Sequence, residues 1–248
     1  MTDEAKQKWQ AIFADWQITI KTYSTMGALH TLAQHWVENE VIIERAATEE
    51  AEINGPKWTP DWDDRDSVGE FHSERDLARY MHDKIMIPMH RQSCIVMLYA
   101  TVERELRRLI ENLEKERGPQ KLQLKDMKAD SYMAKVGKFV KEFYGIKFSD
   151  CPQYTALCDL QKIRDCIIHC HGEVSLSRDK DFLLKLRNKR RGFFAHPEHG
   201  IYIDDQCVKQ LAMETWCFFT WLFEKLNWKI AGQWQGDKLE QTFKKLKK

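Results

Sequence analysis

The run QKIRDCIIHCHG at residues 161–172 places an arginine, an aspartate and two histidines among isoleucines and cysteines. Arginine presents a planar fork of donors that suits phosphate oxygens, and histidine exchanges protons near neutral pH. Asp165 and His169 are four residues apart, so a helix stacks one above the other and the carboxylate can hydrogen-bond the imidazole. Arg164 and His169 lie about 140° apart around an ideal helix. They act on one phosphate only if the arginine wraps round the helix or a two-fold partner supplies the complementary residue, and we favour the dimer.

A helix from about Tyr154 to Cys170 must position these side chains. Apolar residues three and four apart predict its core-facing stripe, and Gly172 predicts its end. The stripe consists of Leu160, Ile163, Ile167 and Cys170. The polar residues of the run therefore lie on other faces of the helix.

The strongest helical pattern is SCIVMLYATVERELRRLIENLEKERG at residues 93–118, which Gly118 and Pro119 end. Glu103 shares a face of this helix with Val96, Tyr99, Leu106 and Ile110. A carboxylate on an apolar face needs a partner, and we predict Arg164 or His169. The core-facing stripe of the same helix consists of Ile95, Leu98, Val102, Leu106, Leu109 and Leu113.

Helical spacing recurs along most of the chain and predicts a mostly α fold. One stripe spans residues 9–20, and a second helix follows a break at Met26 and Gly27. The acidic segment 54–67 reads as a loop, and Pro88 should kink or break a helix that begins at Glu74. Further predicted elements are a helix near 131–143, a loop in GIKFSDCPQY, a small β-hairpin within 192–205 and a last apolar helix over 208–228. These divide the chain into an N-terminal helical extension with its acidic loop (1–66), a main domain (67–235) and a basic tail (236–248).

Composition and charge indicate a globular protein whose charge is unevenly distributed along the chain. The chain has 248 residues, of which 43% are hydrophobic and 31% charged, as in globular rather than disordered proteins. Residues 1–65 carry 6 Lys/Arg against 12 Asp/Glu, whereas residues 178–248 carry 15 against 9, so an anionic partner should approach the C-terminal third. There is no apolar leader and no run of eighteen apolar residues, so we expect a soluble, cytoplasmic protein without a membrane partner.

The seven cysteines, an odd number, lie mostly in apolar helical patterns and are interpreted as small core hydrophobes. A zinc site is an alternative, because several histidines and cysteines fall close together in sequence. The C-x2-C pairs typical of zinc knuckles are missing, so we predict no metal and no cofactor. His196 and His199 are interpreted as residues that decorate the hairpin turn. The residues that raise the zinc alternative are Cys158, Cys166, His169, Cys170, His171, His196, His199 and Cys207.

An arginine followed by a polar residue, apolar residues and a histidine near a helix end, as in RDCIIH (164–169), resembles the Arg-x4-6-His motif of HEPN domains. The segments RQSCIVMLYATVERELRRLI (91–110) and GIYIDDQCVKQLAMETWCFFTWLFEKL (200–226) are similar to the preceding helix and to the hairpin and closing helix of that family. The resemblance covers roughly residues 70–230 and implies an all-α, HEPN-like helical bundle. Such domains are known as metal-independent ribonucleases in bacterial toxin and anti-phage defence systems.

The resemblance implies a role for each matching residue. His169 would activate a ribose 2′-OH or protonate the leaving oxygen, and Arg164 would stabilise charge on the phosphorane. Asp165 would orient His169, and Glu103 would belong to the site. The 2′-OH attacks its own 3′ phosphodiester and leaves a 2′,3′-cyclic phosphate. His171 lies outside the motif and is better explained by the helix dipole.

The segment after the motif, SRDKDFLLKLRNKRRG (177–192), is strongly basic. A solvated basic face is the usual explanation, but the position beside a proposed phosphodiester site favours contact with an RNA backbone. The expected RNA contacts are Lys185, Arg187, Lys189, Arg190 and Arg191. Two hypotheses follow: an endoribonuclease, expected as a homodimer with an antitoxin or defence partner, or a catalytically inactive HEPN-like module that dimerises or binds RNA or nucleotide for a partner protein.

Overall fold

The computed structural model describes residues 25–36, 38–39, 41–42, 85–118 and 123–228. Its six helices within these ranges are joined by short 3₁₀ turns and one two-stranded sheet. The elements are α1 (25–36, with helical residues continuing at 38–39 and 41–42), α2 (Ile87–Arg117), α3 (Tyr132–Tyr144), α4 (Tyr154–Cys170), α5 (Lys180–Leu186), β1 (Phe193–His196), β2 (Gly200–Ile203) and α6 (Asp205–Lys225). The mostly α fold with a small hairpin is confirmed.

Helix α2 lies at the centre of the core, against α3, α4 and α6. Its predicted stripe from Ile95 to Leu113 is buried along its whole length, and it ends at Gly118, whose φ is 72°. Pro88 falls in the first turn of α2, a position at which helices tolerate proline, and the π-helical residues 85–86 precede it. The helix predicted from Glu74 to residue 84 lies outside the described residues.

Helix α4 begins and ends where its sequence pattern indicates. His171 and Gly172 follow it with φ of 52° and 80°, and the Gly172 N–H donates to the carbonyl of Cys166. Leu160 and Ile163 of the predicted stripe are buried, whereas Ile167 and Cys170 are only half-buried. Towards the N-terminus of α4, Ala156 and Leu157 are also buried. The helix packs against α6 and the 3₁₀ turn Phe148–Asp150.

Helix α1 packs into the same hydrophobic core as the other helices. Met26, Leu29, Ala33 and Trp36 are buried there. The predicted break at Met26 and Gly27 is wrong, since both residues are helical and Met26 is fully buried. The stripe at 9–20, the acidic loop at 54–67 and the tail at 236–248 lie outside the described residues.

The hairpin pairs Phe193 with Ile203 and His196 with Gly200 in antiparallel register. Alternate residues of each strand are buried, so one face of the hairpin covers the bundle. The basic segment before it is partly helical, because Leu183 and Leu186 of α5 turn inward. None of the described helices is long and apolar enough to cross a bilayer.

Candidate active site

Arg164 lies between a carboxylate and an aromatic ring. Its Nη1 donates to Oδ1 of Asp165 at 2.8 Å, and its guanidinium carbon lies 5.3 Å from the centre of the Tyr99 ring on α2. The side chain remains 27% exposed. The guanidinium is therefore held in place by α2 and α4 while part of it stays open to an anion.

Tyr99 is a buried phenol beneath this arginine, with an exposed fraction of 1%. Burial raises its pKa, the negative charges of Glu103 and Asp165 raise it further, and the positive charge of Arg164 lowers it. The phenol therefore stays neutral at physiological pH. From the sequence, Tyr99 was placed on the same helix face as Glu103 but was given no role in the site. The four-residue spacing of these two residues was the only indication that Tyr99 lies near the site.

Glu103 is half-buried on α2, beside Tyr99. Among the described residues of the single chain it makes no ion pair with Arg164 or His169, so the contact predicted for it is not seen within one chain. Arg164 turns instead towards Asp165, its neighbour in sequence. Partial exposure lets water solvate the Glu103 carboxylate, which removes the need for a cationic partner.

Asp165 is shared by two guanidinium groups. Besides Arg164, Nη2 of Arg178 lies 3.5 Å from its Oδ2, and Nε of Arg178 lies 3.5 Å from Asp179. Lys162 reaches the same Asp179 at 3.1 Å. Three cations thus surround two carboxylates on one side of α4, and Arg178, at 80% exposed, is the most accessible of them.

His169 is exposed near the end of α4. Within the described ranges no hydrogen bond joins it to Asp165, although the two residues are one turn apart. The expected orientation of His169 by Asp165 is therefore not seen, because both oxygens of that carboxylate face guanidinium groups. The imidazole remains accessible to a substrate.

Four of the five basic residues expected to contact RNA are exposed: Lys185 in the last turn of α5, and Arg187, Lys189 and Arg191 after it. Arg190 is the exception and is only 7% exposed. Its Nη2 donates to Asp159 and its Nη1 to Glu214, both at 2.8 Å. The prediction that Arg190 contacts RNA is corrected here, because its guanidinium ties α4 to α6 inside the fold.

The charge state of Arg190 follows from these partners. Burial lowers its pKa, but the hydrogen bonds and negative charges of Asp159 and Glu214 outweigh burial and raise it. Sequence reasoning missed Asp159, although it lies four and seven positions before the buried residues Ile163 and Cys166. Because Asp159 falls on the core-facing stripe of α4, a buried ion pair for its carboxylate was predictable from the sequence.

A second buried carboxylate was also missed. Glu105 on α2 accepts hydrogen bonds from the Thr25 hydroxyl at 2.9 Å and from Arg104 at 2.8 Å, and Arg108 lies 3.3 Å away. The contact joins Thr25 of α1 to the middle of α2. This group of side chains links two helices of the core and includes neither Arg164 nor His169.

All seven cysteines are free thiols, as expected from their positions in apolar helical patterns. Cys94, Cys151, Cys166 and Cys207 are buried, and the other three are half-buried. Burial raises the pKa of Cys166 to about 11 and that of Cys207 to about 12. These thiols stay protonated and behave as core residues.

The half-buried Arg164 of α4 has the chemistry to bind a phosphate, and the exposed His169 near the end of that helix has the chemistry to exchange a proton. Comparison with protein-family models, with curated proteins and with solved structures finds no match for this chain.

Proposed function

We propose that this protein is a metal-independent endoribonuclease of the HEPN type. The observation that carries the proposal is the pairing of a held, partly exposed Arg164 with an exposed His169 on one helix. The reaction is attack of a ribose 2′-OH on the adjacent phosphorus, with loss of the 5′-oxygen. It leaves a 2′,3′-cyclic phosphate and a 5′-hydroxyl.

Arg164 stabilises the negative charge that develops on the phosphorane. Asp165 and the Tyr99 ring restrain the guanidinium, so little conformational entropy is lost when a phosphate binds. Arg178 lies against the same carboxylate and offers a second exposed guanidinium for the backbone. The Tyr99 phenol is neutral at physiological pH, and burial raises its pKa further, so it adds no negative charge that would repel the phosphate.

His169 moves the proton in this mechanism. As a base it takes the 2′-OH proton, and as an acid it protonates the departing 5′-oxygen. One imidazole cannot do both at the same instant, and Arg164 lies about 140° away around the helix. A homodimer that places two α4 helices at one cleft supplies a second imidazole and brings arginine and histidine to the same phosphate.

The exposed basic residues at the end of α5 and after it extend the site along the RNA backbone. Lys185, Arg187, Lys189 and Arg191 neutralise phosphates without reading sequence. A toxin or anti-phage role, with an antitoxin or another defence protein as partner, follows from the family resemblance and forms part of the proposal.

A second candidate function is a catalytically inactive HEPN-like module that binds RNA or nucleotide for a partner protein. The observation that favours it is the arrangement at Asp165, which faces Arg164 and Arg178 rather than His169. A histidine without an orienting carboxylate is less well prepared for proton transfer.

The test is incubation of total RNA with wild type and with His169→Ala in excess EDTA, followed by analysis of the fragment ends. We expect wild type to produce 2′,3′-cyclic phosphates and the variant to lose about 10²- to 10⁴-fold in rate. His35→Ala is the matched control, because His35 is another exposed histidine, on α1. Circular dichroism and gel filtration check that fold and oligomeric state survive in each variant.

Equal cleavage by wild type and His169→Ala would contradict the ribonuclease proposal. Intact RNA with wild type, together with RNA binding that Arg164→Ala weakens, would support the inactive module instead.

A further inference from the structure

The turn of the hairpin carries three potential metal ligands. His196, Glu198 and His199 are exposed, and one ligand atom from each lies within 4.8 Å of the others. The two imidazole rings stack with centroids 4.6 Å apart and planes 20° apart. Two imidazoles and a carboxylate form a donor set that binds divalent zinc in proteins.

The backbone holds this turn in place. The Ile201 N–H donates to the carbonyl of Gly172 at 2.9 Å, which ties the start of β2 to the end of α4. Gly200 has a φ of 75°, and a Cβ there would lie 2.6 Å from the same carbonyl oxygen, so only glycine fits. Pro197 restricts φ within the turn. The three ligands are therefore presented on a restrained backbone.

A polar groove of about 370 Å³ opens between the turn and the end of α4. Glu198 and His199 form one part of its wall, and His171 and Glu173 form another. Two of the three potential ligands therefore line this groove, and His171 and Glu173 provide further donor atoms across it.

We propose that His196, Glu198 and His199 bind a divalent transition-metal cation of the zinc class. Tetrahedral zinc with Zn–N bonds of about 2.0–2.1 Å needs ligand atoms about 3.4 Å apart, which exposed side chains reach by small rotations. Three protein ligands leave the fourth position for water in the groove. The thiols take no part.

One hydrogen bond competes with the metal. The Glu198 N–H donates to Nδ1 of His196 at 3.1 Å. A metal at Nδ1 replaces this donor, and a metal at Nε2 requires the ring proton to move to Nδ1, which also ends the bond. Without a metal, this hydrogen bond holds the His196 ring against the turn. Metal binding would replace the hydrogen bond with a bond from His196 to the metal.

The site lies on a different element from Arg164 and does not rest on the ribonuclease proposal, which needs no metal. The probe is Co²⁺ added to metal-stripped full-length protein, followed by visible absorption and by calorimetry. We expect one Co²⁺ per chain at this site, with the absorption of nitrogen and oxygen ligands and displacement by Zn²⁺.

Loss of a direct ligand should cost more affinity than the 10- to 100-fold typical of outer-shell changes, so His196→Ala should weaken Co²⁺ binding at least ~100-fold. His199→Ala should do the same, and Glu198→Gln should weaken binding less. His35→Ala, at an exposed histidine on α1, is the control and should bind as wild type does.

Three outcomes would overturn the proposal: no Co²⁺ binding by wild type, unchanged binding by His196→Ala, or thiolate-to-cobalt charge-transfer bands in the wild-type spectrum. The last would place the metal at cysteines. Because all three ligands are exposed, the variants should fold, and circular dichroism checks that they do.

Discussion

Arg190→Met tests whether this arginine holds the fold together rather than binding RNA. In the native protein its two terminal nitrogens each donate to a carboxylate at 2.8 Å. Methionine keeps much of the side-chain volume but leaves Asp159, only 6% exposed, with no cation beside it. Breaking a buried ion pair from one side costs about 3–5 kcal/mol, because an uncompensated charge stays behind.

Two features move the expected value towards the lower limit. The Glu214 side chain is 25% exposed, so water replaces part of what Arg190 supplied. The Nε of Arg190 is buried with no hydrogen-bond partner among the described residues, and methionine removes that cost. We therefore expect a loss of about 3 kcal/mol in the free energy of unfolding, or about 6–12 °C in Tm at 2–4 °C per kcal/mol.

The assay is guanidinium unfolding followed by circular dichroism. Arg191→Met is the matched control, since its side chain is exposed one position later and the change should stay within about 0.5 kcal/mol. Adding Asp159→Asn to Arg190→Met should restore part of the lost free energy of unfolding, because it removes the unpaired buried carboxylate. A loss below about 1 kcal/mol in Arg190→Met, or equal losses in the two methionine variants, would refute the reasoning.

Three further predictions concern the α1 anchor, a buried thiol and the basic segment. Thr25→Val removes the hydroxyl that donates to buried Glu105 and should cost about 1.5–3 kcal/mol in thermal unfolding; no loss would mean that the contact is replaced by water. The Cys207 thiol ionises above about pH 9 in the unfolded chain, whereas burial raises its pKa to about 12 in the folded protein. The free energy of unfolding should therefore fall as pH rises between these two values, by up to about 1.4 kcal/mol per pH unit. Urea unfolding from pH 8 to 10.5 should show a shallower decline in Cys207→Ala, and identical slopes would contradict the assignment. Lys189→Glu combined with Arg191→Glu should weaken RNA binding and reduce the salt dependence of log K by about 0.7 for each lost phosphate contact, and an unchanged slope would remove these residues from the interface.

The sequence by itself determined the hairpin and the described helices other than α5, whose segment was interpreted only as a basic run. Tyr154 to Cys170 was predicted as one helix and is observed as one. The buried stripe of α2 and the turn at Pro197 and Gly200 were predictable for the same reason: helical spacing and turn residues act over a few positions of the chain. The prediction of a helix break at Gly27 was wrong because burial of the neighbouring Met26 outweighs the weak helix propensity of glycine.

Only the tertiary structure decided which charged side chains face inward. Arg190 and Arg191 are adjacent and chemically identical, yet one is buried and the other exposed. The choice depends on Asp159 and Glu214, which lie 31 and 24 positions away in the chain. The same holds for Arg164, whose aromatic partner Tyr99 is on another helix. Local pattern specifies backbone elements, but partners for buried and half-buried charges are set by distant residues that only packing brings together.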